Sequence, residues 1–159
     1  MNVAFFLTPK KEVVWVPERA TLREAIERMK PHGYTAIPIL DAAGGYVGTL
    51  TEGDMLWHLV KTRDASLRTA ESTPLVAVER RTNNLPVHID ADIEALIMRA
   101  ANQNFVPVLD DCDIFIGIVP RKPIIEHCAR RVGILPAVSA GGSLARKKSA
   151  SSTPNGFVR

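Results

Sequence analysis

The sequence predicts an α/β protein made of two copies of one small unit, and three features carry that expectation. YTAIPILD (residues 34–41) is echoed by NFVPVLD (104–110), and adding 69 to a position continues the echo: Pro38 maps to Pro107, Asp41 to Asp110, Gly48 to Gly117 and His58 to His127. Upstream, Leu22, Ala25, Ile26 and Met29 recur 71 residues later as Ile93, Leu96, Ile97 and Ala100. Both sets follow the i, i+3, i+4, i+7 spacing of one apolar helical stripe. Between the stripes lie paired short apolar runs, the first pair split by DAAGG (41–45), which reads as a hairpin turn.

Each copy reads in order as a leading strand, a helix, a two-stranded hairpin and a second helix. In the first copy the leading strand is 13–16, where VVWV is β-branched and aromatic. The helix is 22–29, opened by Thr21 with Glu24 three residues on as a capping box. The hairpin strands are 35–40 and 46–50, and the second helix is 53–60, with Met55, Leu56, Leu59 and Val60 as its apolar positions. The second copy places the same elements at 87–89, 93–101, 106–109, 114–119 and 123–129. The drop in offset from 71 to 69 removes two residues between its first helix and the next strand. The expected organisation is repeat one at 3–65, repeat two at 66–131 and a tail at 132–159. A unit of ~60 residues buries only about 60% of its chain surface and is marginal alone. The copies are therefore expected to pack sheet to sheet as one pseudo-twofold body.

Of the 159 residues, 46% are hydrophobic and 23% charged, a globular composition. The pI near 9.1 suggests a nucleic-acid partner, but the charge is unevenly placed. Six basic residues and no acids lie from Arg130 onward, leaving 14 basic against 17 acidic residues in 1–129. The body is acidic, which weighs against nucleic acid. The stretch SAGGSLARKKSASSTPNG (139–156) is too poor in apolar residues to offset ordering entropy and is expected to be a flexible basic tail. MNVAFFLTPKK places its lysines after a brief apolar run, the reverse of a secretory signal, and no run approaches ~18 apolar residues. The expectation is a cytoplasmic protein with no membrane segment.

Cys112 and Cys128 form no C-x-x-C pair and fall in different elements, so neither a disulfide framework nor a zinc cluster is indicated. The histidines lack ligand spacing, and DDCD (110–113) lacks the length and glycine of a calcium loop. No base, nucleophile and oxyanion donors gather in sequence. The expectation is no metal, no cofactor and no catalysis. Trp15 and Trp57 fit core packing at least as well as a cleft wall or a dimer surface.

GTLTEGD (48–54) joins a strand to a helix. Thr51 and Asp54 stand where free N–H groups and the helix dipole favour an anion. Taken alone they suit an N-cap and a first-turn acid, and the repeat favours the ligand role. The matching stretch GIVPRKP (117–123) puts Pro120 in place of Thr51 and Pro123 in place of Asp54. It loses the carboxylate and gains Arg121 and Lys122, whose charges suit phosphate oxygens.

The order of elements, TPKKEVVWV before the first helix, the IPILD strand and the spacing in GTLTEGD resemble the CBS domain; the two copies resemble a CBS pair over roughly residues 3–131. GYTAIP together with NFVPVLDDCDIFIGIVPRK is similar to small stand-alone CBS proteins of Gram-positive bacteria that bind cyclic di-AMP. The resemblance implies a non-catalytic regulatory protein that binds an adenine nucleotide, with cyclic di-AMP ahead of AMP and ATP. It also implies a homodimer formed through the helices and a protein target that reads ligand occupancy. Each cleft would combine the strand part of one repeat with the turn part of the other. By resemblance, one cleft holds Lys11, Tyr34, Thr35, Ala36, Arg121 and Lys122: Lys11, Arg121 and Lys122 meet phosphates, Thr35 and the Ala36 backbone hold an adenine edge, and Tyr34 packs nearby. The other joins Gly48, Thr51 and Asp54 to Asn104, Phe105 and Val106, with Asp54 on ribose hydroxyls and Thr51 at phosphate. Pro120 and Pro123 depart from the pattern and support an alternative, an assembly module with degenerate clefts.

Overall fold

The computed structural model describes residues 2–136. Of the flexible tail expected at 132–159, residues 132–135 close the end of α4 through main-chain hydrogen bonds, and the part beyond residue 136 lies outside the described residues. Four helices and two small sheets follow the duplicated order. The first sheet aligns β2 (Val16–Pro17), β3 (Ala36–Leu40) and β4 (Tyr46–Thr51) in that order. The second aligns β1 (Thr8–Pro9), β7 (Phe115–Pro120), β6 (Phe105–Leu109) and β5 (Val87–His88). In both copies the leading strand runs parallel to the central strand and the hairpin partner antiparallel.

The helices are α1 (Leu22–Met29), α2 (Glu52–Lys61), α3 (Ile93–Ala100) and α4 (Arg121–Arg131). Their starts follow local chemistry. At α1 the Thr21 N–H donates to the Glu24 carboxylate at 2.7 Å, while the Glu24 N–H donates to Thr21 Oγ1 at 3.3 Å. Asp92 caps α3 by accepting from the Ala95 N–H at 2.8 Å. The end of α4 is closed by Gly133, whose φ of 76° lets the Ile134 N–H turn back to the Ala129 carbonyl at 2.8 Å.

Each sheet and its helices enclose a separate core, and each core takes a segment from beyond its own repeat. Ala70, Leu75 and Val78, from the connection between the copies, are buried against Leu22, Ala25, Ile37 and Leu50 of the first. Val3 and Phe6, at the start of the chain, are buried against Leu96, Val106 and Ile124 of the second. Strand β1, absent from the sequence-based reading, follows from that exchange. Thr8 and Pro9 pair antiparallel with Ile118 and Gly117, adding an edge to the other copy's sheet.

The repeats meet on a pseudo-twofold seam made of equivalent residues. Leu40, Leu109 and Phe115 form a third apolar cluster with Val13, Trp15, Tyr46 and Ile118. Tyr46 stacks on its counterpart Phe115 with ring centroids 6.3 Å apart, within the range of favourable aromatic pairs. Gly45 and its counterpart Ile114 form a bridge between the two hairpin turns, and the Phe115 N–H donates to Gly44 O at 3.0 Å. The turns are copies of one another. Asp41 Oδ1 accepts from the N–H groups of Ala43 and Gly45, and Asp110 Oδ1 from those of Cys112 and Ile114.

At Gly117 a Cβ would overlap the Thr8 carbonyl oxygen and lie 2.8 Å from Leu7 Cδ1. Gly117→Ala is expected to lift β1 from β7 and to destabilise the protein by about 1–3 kcal/mol. Limited proteolysis should then cut faster between Phe5 and Lys11, with far-UV circular dichroism retained. Unchanged cutting would show that the pairing tolerates the methyl group.

Candidate functional site

A cleft of about 250 Å³ opens between the two copies. Its walls come from the segment before β2 (Thr8, Glu12, Val13 and Val14), the start of β3 (Tyr34, Thr35, Ala36 and Pro38) and the second copy (Asn104, Phe105, Ile118 and Pro120). Backbone alternation explains why β3 is suited to read a ligand here. The Glu52 N–H donates to Thr35 O at 2.9 Å, so residues 35, 37 and 39 turn their main-chain groups toward β4, and residues 36, 38 and 40 turn theirs away. On that outer side β2 pairs only with Ile39 and Leu40. Pro38 carries no N–H to leave unmet, which is how a proline fits this central strand. Ala36 is left with a main-chain donor and an acceptor side by side and no strand opposite, in the wall of the cleft.

The far end of the cleft reaches Pro120, the N-cap of α4. No side chain caps this helix and no acid lies in its first turn. The basic residues stand around the cleft rather than in its wall. Lys11 is exposed on the turn Lys10–Glu12. Arg121 lines a separate groove of about 570 Å³ between α3 and α4, with Ile97, Ile125 and Cys128. The Lys122 side chain is 85% exposed, with its ammonium 3.9 Å from Glu126. Tyr34 is exposed and stacks on His32 at 5.1 Å. The structure thus brings Tyr34, Thr35 and Ala36 together with Phe105 and Pro120, and places Lys11, Arg121 and Lys122 outside that wall.

The CBS-domain family model matches residues 6–61. Over those residues the chain is similar to a CBS domain. No curated protein sequence matches the chain. Solved structures show that the chain has the fold of a tandem CBS pair. A CbpB protein of Listeria monocytogenes, in complex with c-di-AMP, is 22% identical with a TM-score of 0.68, covering 84% of this chain and 98% of its own. A further CbpB complex with c-di-AMP is 20% identical with a TM-score of 0.69, covering 83% and 87%. A CBS domain protein from Streptococcus pneumoniae is 24% identical with a TM-score of 0.71, covering 82% and 88%.

The surroundings of GTLTEGD, expected to form the other cleft, are built differently. Thr51 Oγ1 accepts from the Asp54 N–H at 3.1 Å and Asp54 Oδ2 from the Thr51 N–H at 3.0 Å, a capping box that starts α2. Asp54 is only 1% exposed, and its other oxygen accepts from the Arg81 N–H at 2.9 Å. Arg80 lies over Gly48, where a Cβ would come within 2.7 Å of its guanidinium. Arg81 stacks on Trp57 with its guanidinium carbon 4.7 Å from the ring centroid. Phe105 and Val106 are buried, Val106 completely within the second core.

Several of these residues escaped the sequence-based reading. Val13 was legible only as the start of a strand and Glu12 only as part of the stretch before it, and the connection between repeats carried no motif. Its one signal was polarity: Asn83 and Asn84 stand 71 residues after Glu12 and Val13, so an amide replaces an apolar cleft residue.

Tyr46 Oη donates to the Asn84 carbonyl at 2.8 Å and lies 2.7 Å from Thr49 Oγ1. Burial pushes this phenol up to about 12, partly opposed by the Thr49 hydroxyl and the charge of Arg80. A phenol with a raised folded-state pKa contributes stability below its unfolded value and loses it as pH climbs through the folded value. Stability is therefore expected to fall between pH ~10 and about 12, by roughly 2–3 kcal/mol. Denaturant titrations across that range should show the slope in the native protein and a flatter one in Tyr46→Phe; equal slopes would remove Tyr46 as its source.

Proposed function

We propose that this CBS pair is a non-catalytic sensor that binds an adenine nucleotide in the cleft at Tyr34–Ala36 and passes its occupancy to a protein partner. One observation carries the reading: in a cleft walled by both repeats, Ala36 offers an unpaired main-chain N–H and C=O, the complement of an adenine edge, among apolar side chains. Val13, Pro38, Phe105 and Ile118 supply apolar walls for a flat base. Thr35 lies beside Ala36, where its hydroxyl adds a polar contact. At the start of α4 the Arg121 N–H is held by the Asn104 carbonyl at 3.0 Å and Pro123 has none, so a phosphate would meet the Lys122 N–H, the positive dipole end and the charges of Arg121 and Lys122. Lys11 serves the same charge from the opposite rim.

Cyclic di-AMP is the preferred ligand, with AMP or ATP next. The cleft wall carries one acid, Glu12, and no lysine or arginine, so phosphates fit the rim and the base fits the interior. The two CbpB complexes hold c-di-AMP in the same fold. A ligand that touches both repeats favours one relative orientation of them. A partner that prefers that orientation is coupled to the ligand by the same free energy. Leu56, Val60 and Ile125 leave the outer faces of α2 and α4 apolar and exposed, which suits association of two copies through these helices.

Thermal melting with cyclic di-AMP, AMP, ATP and cyclic di-GMP tests the reading. At ~100 times its dissociation constant a specific ligand should add about 2.7 kcal/mol, or roughly 5–10 °C. The shift should come from adenine compounds alone, and Arg121→Ala with Lys122→Ala should reduce it. A flat response to every nucleotide would leave the exposed helix faces as the working surface and favour an assembly module.

A further inference from the structure

Around GTLTEGD, the main-chain groups that correspond to those of Ala36 and the Asp54 carboxylate, which the first cleft lacks, are already bonded to the chain itself. Phe105 is the counterpart of Ala36, 69 residues on. Its C=O accepts from Asn84 Nδ2 at 3.0 Å and from Gln103 Nε2 at 3.3 Å, and its N–H donates to Asn104 Oδ1 at 3.1 Å. The carboxylate of Asp54 is shared between the Thr51 and Arg81 N–H groups. The segment providing these bonds is anchored along its length. Tyr46 holds the Asn84 carbonyl at 2.8 Å, and Gln103 exchanges two hydrogen bonds with the main chain of Leu85, at 2.8 and 3.1 Å. The Lys61 ammonium meets Glu79 at 2.6 Å where the segment begins. Asn84 is 1% exposed and Gln103 7%.

We infer that residues 79–85 act as a tethered stand-in for a nucleotide in the second cleft, so that this chain takes one ligand per CBS pair. The Asn84 carboxamide faces the Phe105 carbonyl as a base amino group would, and the Arg81 N–H meets Asp54 as a ribose hydroxyl would. Because the stand-in is part of the chain, its local concentration is fixed and no free nucleotide displaces it cheaply. The repeat-equivalent positions in the first cleft are Lys10 and Val13, and Val13 lines open space there. The asymmetry therefore lies in the connection between repeats. A filled second cleft fixes one side of the interface, and ligand in the first cleft acts against a constant reference.

The count of ligands rests on the proposed function; the closure of the second cleft does not, and the experiment separates them. Amide exchange followed by NMR on the full chain without nucleotide is expected to show the Arg81 N–H protected by at least ~10-fold relative to its intrinsic rate. That protection should vanish in Asp54→Ala while the amides of β6 stay slow. Titration calorimetry with AMP and with cyclic di-AMP should give one site in the native chain. With Asn84→Ala and Gln103→Ala, AMP should gain a second site or at least ~10-fold in affinity, because the competent fraction rises. A fast Arg81 amide in the native chain, or two AMP sites before any substitution, would overturn the inference. A protected Arg81 amide with no nucleotide bound by either protein would uphold the closure and reject the sensor reading instead.

Discussion

The seam between the repeats is the constraint on which the rest of the structure depends. Each CBS-sized unit has a three-sided core too small to stand alone, and the shared cluster of Leu40, Leu109, Phe115 and Tyr46 gives both units a common apolar floor. The contacts are made between equivalent residues, so one packing solution serves twice. The same seam fixes the clefts. Their walls come from opposite repeats, and their width is set by how closely the two sheets approach.

Exchange of segments reinforces this dependence. The chain start completes the second core and the connection between repeats completes the first, so neither unit keeps a full core if the two separate.

The two clefts show how a duplicated frame diverges through few residues. In the first, proline at the N-cap of α4 removes the capping side chain, and the Arg121 N–H is met instead by the Asn104 carbonyl. In the second, Thr51 and Asp54 close the start of α2 by capping it, the Arg81 N–H donates to the Asp54 carboxylate, and the Asn84 carboxamide donates to the Phe105 carbonyl. The turn that reads as mononucleotide-type in sequence thus has its capping groups met from within. Capping and anion binding draw on the same N–H groups, and sequence spacing alone does not separate them.

The sequence by itself determined the duplication, the order of elements and the helix starts, because these rest on local periodicity and capping chemistry that neighbouring residues carry. Helix α1 occupies the predicted 22–29, and the other elements shift by only one or a few residues. Tertiary structure decided what depends on residues distant in the chain. Pairing of Thr8 and Pro9 with β7, burial of Val3 and Phe6 in the far core, and the approach of Arg81 to Asp54 across 27 residues leave no periodic trace. It also decided that Arg121 and Lys122, adjacent to the cleft in sequence terms, stand at its rim, since a helix turns successive side chains in different directions. Spacing places a residue on an element, and only the packing of elements decides which space that residue faces.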